Sequence, residues 1–585
     1  MPDCKNCNQS FTIEPDDASF YERIRVPPPT WCPECRVVRR YAWRNDRNLY
    51  RRNCDLCGKS TVTMYSPNKP FKVYCQPCWW SDNWDATAFG RDYDFSRSFF
   101  EQFAELQQVV PRIAMLGKNS VRSEYTNHSS DNKDCFMGSS IMNCENVLYG
   151  DFVLQSRDLL DCTNIYMKAE RCYQCINVDN SYQCHYCILC NACSNCYYCY
   201  DLRGCTDCFL SVNLRNKSNY FLNEQYSKEE YQRKVKEFQL GSYATRKKLY
   251  QQFIELIRTK AINKYTVVER STNITGSYIF NAKNTHHAFD AADCEDVKFV
   301  ANVEEGKDVM DSYRNAVKIE LIYECHALIR AFNLKFCNVT YDVSHLEYCD
   351  NCFNSQNLFG CIGLKKGEYM ILNNKYSPEE YKVLKAKIIE RMKTTGEYGE
   401  FFPISLSPFG YNESHNYVFG NHLAKDEVLA KGWKWEDNTP GTFDKETLPP
   451  EQIPDLISDI QDDILKQVLK CVTCSRNYNI VEPELAFYRR EQIPIPRQCY
   501  PCRDSVRIAL RAPRELHHHT CMCPGRVAQN AQRVASDPAL HDTRYTNSAS
   551  HSHGDEQCPN EFETPYSPER PEVVYCEECY QAEIV

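Results

Sequence analysis

Residues 172–208 read CYQCINVDNSYQCHYCILCNACSNCYYCYDLRGCTDC and hold ten cysteines in thirty-seven positions. Whether these thiols bind metal, pair as disulfides or pack as small apolar groups decides the fold. The frame C-x-x-C recurs outside this stretch with substitutions: Cys144-Glu-Asn-Val147, Cys162-Thr-Asn-Ile165, Cys294-Glu-Asp-Val297, Gly306-Lys-Asp-Val309, Phe336-Cys-Asn-Val339 and Cys349-Asp-Asn-Cys352. Val and Ile cannot ligate a metal. What they share with Cys is ready burial and a liking for strands, while Asn or Asp at the third position marks turns. Adjacent frames mostly lie 9 to 13 residues apart, so two frames make a unit of about 21–24 residues, the length of a β-solenoid coil. This reading predicts a mainly β chain: a central right-handed β-solenoid of two duplicated halves closed by helices, flanked by N- and C-terminal double zinc-ribbon modules. It also expects Cys187→Val to be tolerated. A ferredoxin-like cluster needs a different spacing and a following proline.

The duplication shows in LNEQYSKEEYQRKVKEF at 222–238 and LNNKYSPEEYKVLKAKI at 372–388. In each, a serine before a Glu pair signals a helix start, and the helix would cover the open edge of its half. A further helix, about 94–117, is expected from Phe95, Phe99, Phe103 and Leu106, and would cap the first half. The domain boundaries read as 1–85 (N-terminal module), 86–124 (helical cap and linker), 125–245 (first half with closing helix), 246–269 (helical linker), 270–395 (second half with closing helix), 396–470 (aromatic loop and helical connector) and 471–585 (C-terminal module).

The two ends are one module written twice. Cys4, Cys7, Cys32 and Cys35 form C-x2-C-x24-C-x2-C, and Cys471, Cys474, Cys499 and Cys502 repeat it; residues 4–54 align with 471–521 without a gap at seventeen identical positions. Two such pairs suit a tetrahedral Zn²⁺, and four thiolates close its shell against water. A second site follows at Cys54, Cys57, Cys75 and Cys78. Its copy carries a polar insertion, roughly 524–557, and offers five candidates: Cys521, Cys523, Cys558, Cys576 and Cys579, with Cys576 and Cys579 as firm members and His551 and His553 as weaker substitutes. Four Zn²⁺ per chain follow. GKST at 58–61 mimics the end of a P-loop, but the glycine that the motif requires is absent at Asn53.

The block CNQSFTIEPDDASFYERIRVPPPTWCPECRVVRR resembles the short family described as "probable zinc ribbon", through its C-x-x-C pairs, the Phe20-Tyr21 pair and the prolines before the second pair. That resemblance covers about 35 residues at each end and implies zinc binding. The whole arrangement is similar to uncharacterised bacterial proteins with such terminal domains around a cysteine-rich repeat region, which implies no activity.

Between the cysteine pairs lie arginines at helical spacing: Arg36, Arg40, Arg44, Arg47 and Arg51, with Arg503, Arg507, Arg511 and Arg514 in the copy. Guanidinium forks among aromatics suit phosphate and stacked bases; equally, they could pair with the chain's own acids. The net charge of −9 excludes a polybasic chain. There is no nucleophile motif, H-E-x-x-H, dinucleotide fingerprint or open three-ligand metal site, and Asp151, Asp158 and Asp161 do not assemble into a catalytic pair from sequence alone. The reading is a non-enzymatic zinc-binding scaffold whose basic helices contact RNA, DNA or a ribonucleoprotein. One alternative is a pure protein-interaction scaffold with internally paired arginines. Another is a redox, iron–sulfur or polysaccharide-active enzyme. With no secretory leader or apolar span evident and dense cysteine, a cytoplasmic location is expected.

Overall fold

From Asp131 to Asp161 every third residue has a positive φ, between 47° and 60°, and the pattern resumes through Gln183, Tyr186, Leu189, Ala192, Asn195, Tyr198 and Asp201. A left-handed residue costs a side chain roughly 1–2 kcal/mol, and Asn and Asp least because they bond locally. Asn146, Asn164, Asp296 and Asn351, third in their frames, all hold this conformation. The chain therefore turns a corner every three residues. The residue after each corner points inward, so Cys184, Cys187, Cys190, Cys193, Cys196 and Cys199 are all buried. Successive short strands pair in parallel twelve residues apart, Ser194 with Thr206 and Cys196 with Cys208. Corner side chains stack on the same register: Asn146 donates to Asp158 at 3.0 Å, and the Tyr186 and Tyr198 rings lie 4.9 Å apart at 8°.

This overturns the expected mainly β chain with a central right-handed β-solenoid. Helix makes up 26% and strand 28%, and the strands are spread over ten sheets among the described residues, none of them closed. The physical reason is the corner spacing. Three-residue steps give a mostly twelve-residue register among the described residues, in place of the inferred two-frame unit of about 21–24 residues. One frame was also displaced: Phe336 and Val339 are left-handed corners, and Cys337 and Thr340 are the inward residues, with Thr340 paired to Cys352.

The structure, a computed structural model, describes residues 1–165, 168–299, 301–311, 313–316, 319–324, 328–329, 333–524, 553–554 and 556–585, with backbone alone at 301–309, 313–316, 319–321 and 328–329. The side chains of the frame at 306–309, and residues 525–552 and 555 of the polar insertion with His551, lie outside the described residues. Two units emerge, Met1–Met115 with Val267–Thr439 and Leu116–Thr266 with Pro440–Val585. Each unit thus joins a terminal module to the repeat that is not its neighbour in sequence.

In the second unit the inward positions of one twelve-residue stretch are not equivalent. One register runs Ile141, Val153, Ile165, Val178, Cys190, Leu202; another runs Gly138, Gly150, Cys162, Cys175, Cys187, Cys199, Ser211. Large residues thus alternate with small ones around the narrow interior. A Cβ on Gly150 would meet Val147 at 2.6 Å and Val153 at 3.1 Å. Each thiol also reaches carbonyl oxygens, as Cys175 Sγ does to Tyr173 at 3.4 Å and Cys184 at 3.1 Å. Cysteine is small enough for the tight corners, and its weak S–H donor adds a contact to carbonyls that already accept backbone N–H groups, Tyr173 from Tyr186 and Cys184 from Tyr173. Cys190→Val, in the register that already holds Val178, should therefore cost less than about 1.5 kcal/mol, whereas Cys187→Val overpacks and should cost about 1–3 kcal/mol. Urea denaturation of the two variants checks this order; equal costs would contradict it. Cys187→Val, read from sequence alone as tolerated, is thus expected to be the costlier of the two.

Both repeats end the same way. Leu222-Asn223 and Leu372-Asn373 have positive φ at both residues, forming tight turns that reverse the last parallel strand into an antiparallel partner. The Asn223 amide then bonds both N–H and C=O of Val212, and Asn373 does the same to Ile362. Each asparagine thereby stands in for the next strand. The helices Lys228–Lys236 and Pro378–Thr395 follow, each opened by a capping box, Ser227 with Glu230 and Ser377 with Glu380, as the sequence signalled. Tyr231 and Tyr381 are buried beneath them.

The predicted helix at 94–117 is shorter, Phe99–Val109, capped by Ser98. Its Phe99 ring packs on Tyr348 and Phe359, so it covers the second repeat rather than the first. In the first unit the register changes from eleven to twelve at Gly276, whose φ is 130°. A Cβ there would lie 1.9 Å from the Ala288 carbonyl oxygen. Gly276→Ala should destabilise that unit by more than about 1 kcal/mol, read as a lower thermal midpoint. The expected aromatic loop contributes Tyr398, Phe401, Phe402 and Tyr411 to the first unit's core, where Trp433 stacks on Tyr411 at 5.4 Å.

Candidate metal centres

In each module the first C-x-x-C pair sits on a knuckle. The N–H of Asn8, Gly58 and Ser475 bonds back to the carbonyl of Cys4, Cys54 and Cys471 at 2.8, 2.9 and 3.0 Å. All three adopt positive φ, from 61° to 72°; Gly58 thus belongs to a knuckle and not to a phosphate loop. The second pair opens a helix. Cys32, Cys75, Cys499 and Cys576 are the N-caps of Pro33–Tyr41, Gln76–Trp80, Tyr500–Ala509 and Glu577–Ile584. Helix N-termini favour thiolates.

The sulfurs converge into four tetrads: Cys4, Cys7, Cys32 and Cys35; Cys54, Cys57, Cys75 and Cys78; Cys471, Cys474, Cys499 and Cys502; and Cys521, Cys558, Cys576 and Cys579. Within each, the ligand atoms lie within 4.8 Å of one another. One pair from each site is separated by 3.8, 3.9, 3.6 and 3.8 Å respectively. A tetrahedron with metal–sulfur bonds of about 2.3 Å has edges of about 3.8 Å, so the cages fit a tetrahedral ion. Backbone N–H groups of Cys32, Cys75 and Cys576 donate to Cys4, Cys54 and Cys521 sulfurs at 3.2 Å each. Burial opposes ionisation of Cys4, but the backbone N–H groups of Cys32, Cys7 and Asn6 outweigh it and bring the thiol down to about 7. The same balance brings Cys54 and Cys471 to about 7. The donor set is all sulfur and needs no further ligand.

Of the five candidate cysteines at the last site, Cys521, Cys558, Cys576 and Cys579 form the tetrad that could hold a metal, and Cys523 lies outside it. The insertion leaves the knuckle intact: Cys521 N–H bonds the Asn560 carbonyl at 2.8 Å, as Cys54 N–H bonds that of Lys59. No central cysteine belongs to any metal-competent group among the described residues, and the described cysteines are free of disulfides.

The arginines do not form the helical stripe that their spacing predicted. The helices end at Tyr41 and Ala509, so Arg44, Arg47, Arg51, Arg511 and Arg514 lie beyond them. Arg36, Arg40, Arg44, Arg503 and Arg507 are buried, Arg47, Arg511 and Arg514 half-buried, and Arg51 exposed. Their partners are acids that sequence reasoning left unassigned. Arg36 meets Asp311 at 2.8 Å and Arg40 meets it at 3.1 Å, while Arg39 bonds Glu324 and Glu400. In the copy, Arg503 meets Asp161 at 2.6 Å and Arg507 meets it at 3.6 Å. Asp161 and Asp311 are 150 residues apart, the same offset that relates Ser227 to Ser377. Arg36 lies over the Phe299 ring and Arg503 over Tyr149, at the same 150-residue offset, each at 5.3 Å. One joint between module and repeat is therefore built twice. Burial opposes the charge of Arg36 and Arg503, yet Asp311 and Asp161 outweigh it and hold both firmly protonated.

Among the described residues no helix is long and apolar enough to cross a membrane. No protein-family model matches the sequence, and no curated protein matches it.

Proposed function

We propose that this chain is a non-enzymatic, zinc-stabilised scaffold for protein partners, working in a reducing compartment such as the cytoplasm. Zinc is the natural occupant of four closed all-cysteine cages held by N–H···S bonds, because it is redox-inert and takes four thiolates without a geometric preference of its own. A closed shell leaves no position for substrate, which supports a structural role. The observation that carries the scaffold reading over nucleic-acid binding is the burial of Arg36, Arg40, Arg44, Arg503 and Arg507. A phosphate-binding stripe needs its guanidiniums in water; these five lie in the interior, four of them against Asp311 or Asp161.

The test is binding of the full chain to single- and double-stranded RNA and DNA across a salt series. The scaffold reading predicts no specific retention at low salt. Affinity that falls steeply with salt, as counterion release requires, would restore the nucleic-acid reading and overturn this one. Metal analysis accompanies it: two or fewer zinc ions per chain would remove the zinc-stabilised part of the proposal.

A further inference from the structure

One cysteine of the C-terminal module, Cys523, lies beside the fourth tetrad. Cys523 is fully buried, and its sulfur lies within 4.8 Å of both a His553 ring nitrogen and the Cys579 sulfur. His553 Nε2 approaches Cys579 Sγ at 3.3 Å, and its Nδ1 lies 2.6 Å from the Glu556 carbonyl oxygen. A carbonyl can only accept, so Nδ1 carries the proton and Nε2 presents its lone pair toward the sulfurs. That is the arrangement by which metal-ligating histidines are oriented. The separation of 3.3 Å is also close to what a nitrogen at about 2.0 Å and a sulfur at about 2.3 Å subtend around one tetrahedral ion.

We propose that the C-terminal module binds a second divalent ion of the zinc class through Cys523 Sγ, His553 Nε2 and the Cys579 thiolate, which it shares with the neighbouring tetrad. This rests on the tetrad itself being a metal site. A thiolate has lone pairs enough to bridge two ions. Sharing also improves the local charge: four thiolates around one divalent ion leave −2, whereas five around two leave −1, a smaller charge to hold in a buried cluster. Among the described residues no fourth His, Cys, Asp or Glu joins Cys523, His553 and Cys579. An ion held by three such ligands, one of them shared, is expected to exchange faster than those in the closed shells. The N-terminal module is the internal control: Leu56, which aligns with Cys523, is exposed, and no insertion separates Cys54 from Cys57.

The experiment is zinc stoichiometry of the full chain, loaded with Zn²⁺ alone and freed of loosely bound metal, for wild type, Cys523→Ser and His553→Ala. The expected result is five ions in wild type and four in each variant, with the fifth lost first to a chelator of moderate affinity. Cobalt substitution supplies a second readout independent of folding, because a site with one nitrogen and two sulfurs absorbs differently from an all-thiolate cage. Four ions in wild type, with an all-thiolate cobalt spectrum, would overturn the second site while leaving the tetrads standing. Three or fewer would instead remove the tetrad on which it rests.

Discussion

Asp161→Ala is expected to destabilise its unit by about 3–5 kcal/mol, as unilateral removal of one partner of a buried ion pair does. The Asp161 carboxylate has no exposed surface and meets both Arg503 and Arg507, which are themselves buried. Deleting it leaves two guanidiniums in the interior with Glu484 and Asp504 as their remaining acidic contacts. Asp311→Ala should do the same to Arg36 and Arg40 in the other unit. The exposed pair of Arg122 with Asp134, 2.5 Å apart, is the control, and Asp134→Ala should cost no more than about 1 kcal/mol. Replacing Asp161, Arg503 and Arg507 together by apolar residues should recover much of the loss, because the penalty lies in the unpaired charge. Urea denaturation that left Asp161→Ala as stable as Asp134→Ala would contradict the buried joint.

The larger effect is expected at the metal cages. Cys32→Val removes one of four thiolates from a closed shell, and structural zinc contributes about 10–16 kcal/mol of binding free energy in small zinc modules at neutral pH. Loss of the ion should therefore unfold the first module's knuckle and the start of helix Pro33–Tyr41, which Cys32 caps. Cys190→Val, equally buried but outside any metal group, should leave the zinc content unchanged. Chelation of the wild type should act first on the terminal modules. Equal loss of metal from both variants would show that central cysteines are ligands.

How far the sequence could be read follows from where the information is local. The cysteine tetrads were legible because a C-x-x-C knuckle is a short-range device and its duplication left the spacing intact. The packing role of the central cysteines was legible from Val147, Ile165 and Val297, which replace them. The corner geometry was not, although its signal lay in the three-residue spacing from Cys184 to Cys199. A helix pattern would repeat at 3.6 and a strand at 2; a period of three belongs to neither, and grouping the frames in pairs hid the twelve-residue register. The arginines carried helical spacing past the end of their helices, and their partners Asp161 and Asp311 lie hundreds of residues away in sequence, beyond the reach of any local pattern. The exchange of repeats between modules has the same cause: nothing within a module records which repeat it will cover.

The division of labour among the cysteines, ligands at the ends and packing in the middle, is tested most directly by cysteine-resolved alkylation of the native chain before and after chelation, read by mass spectrometry. The account predicts that chelation exposes Cys4, Cys7, Cys32, Cys35 and their counterparts in the other three tetrads, while Cys172, Cys175, Cys184, Cys187, Cys190 and Cys193 stay protected. Labelling of the central cysteines in step with the terminal ones would contradict it.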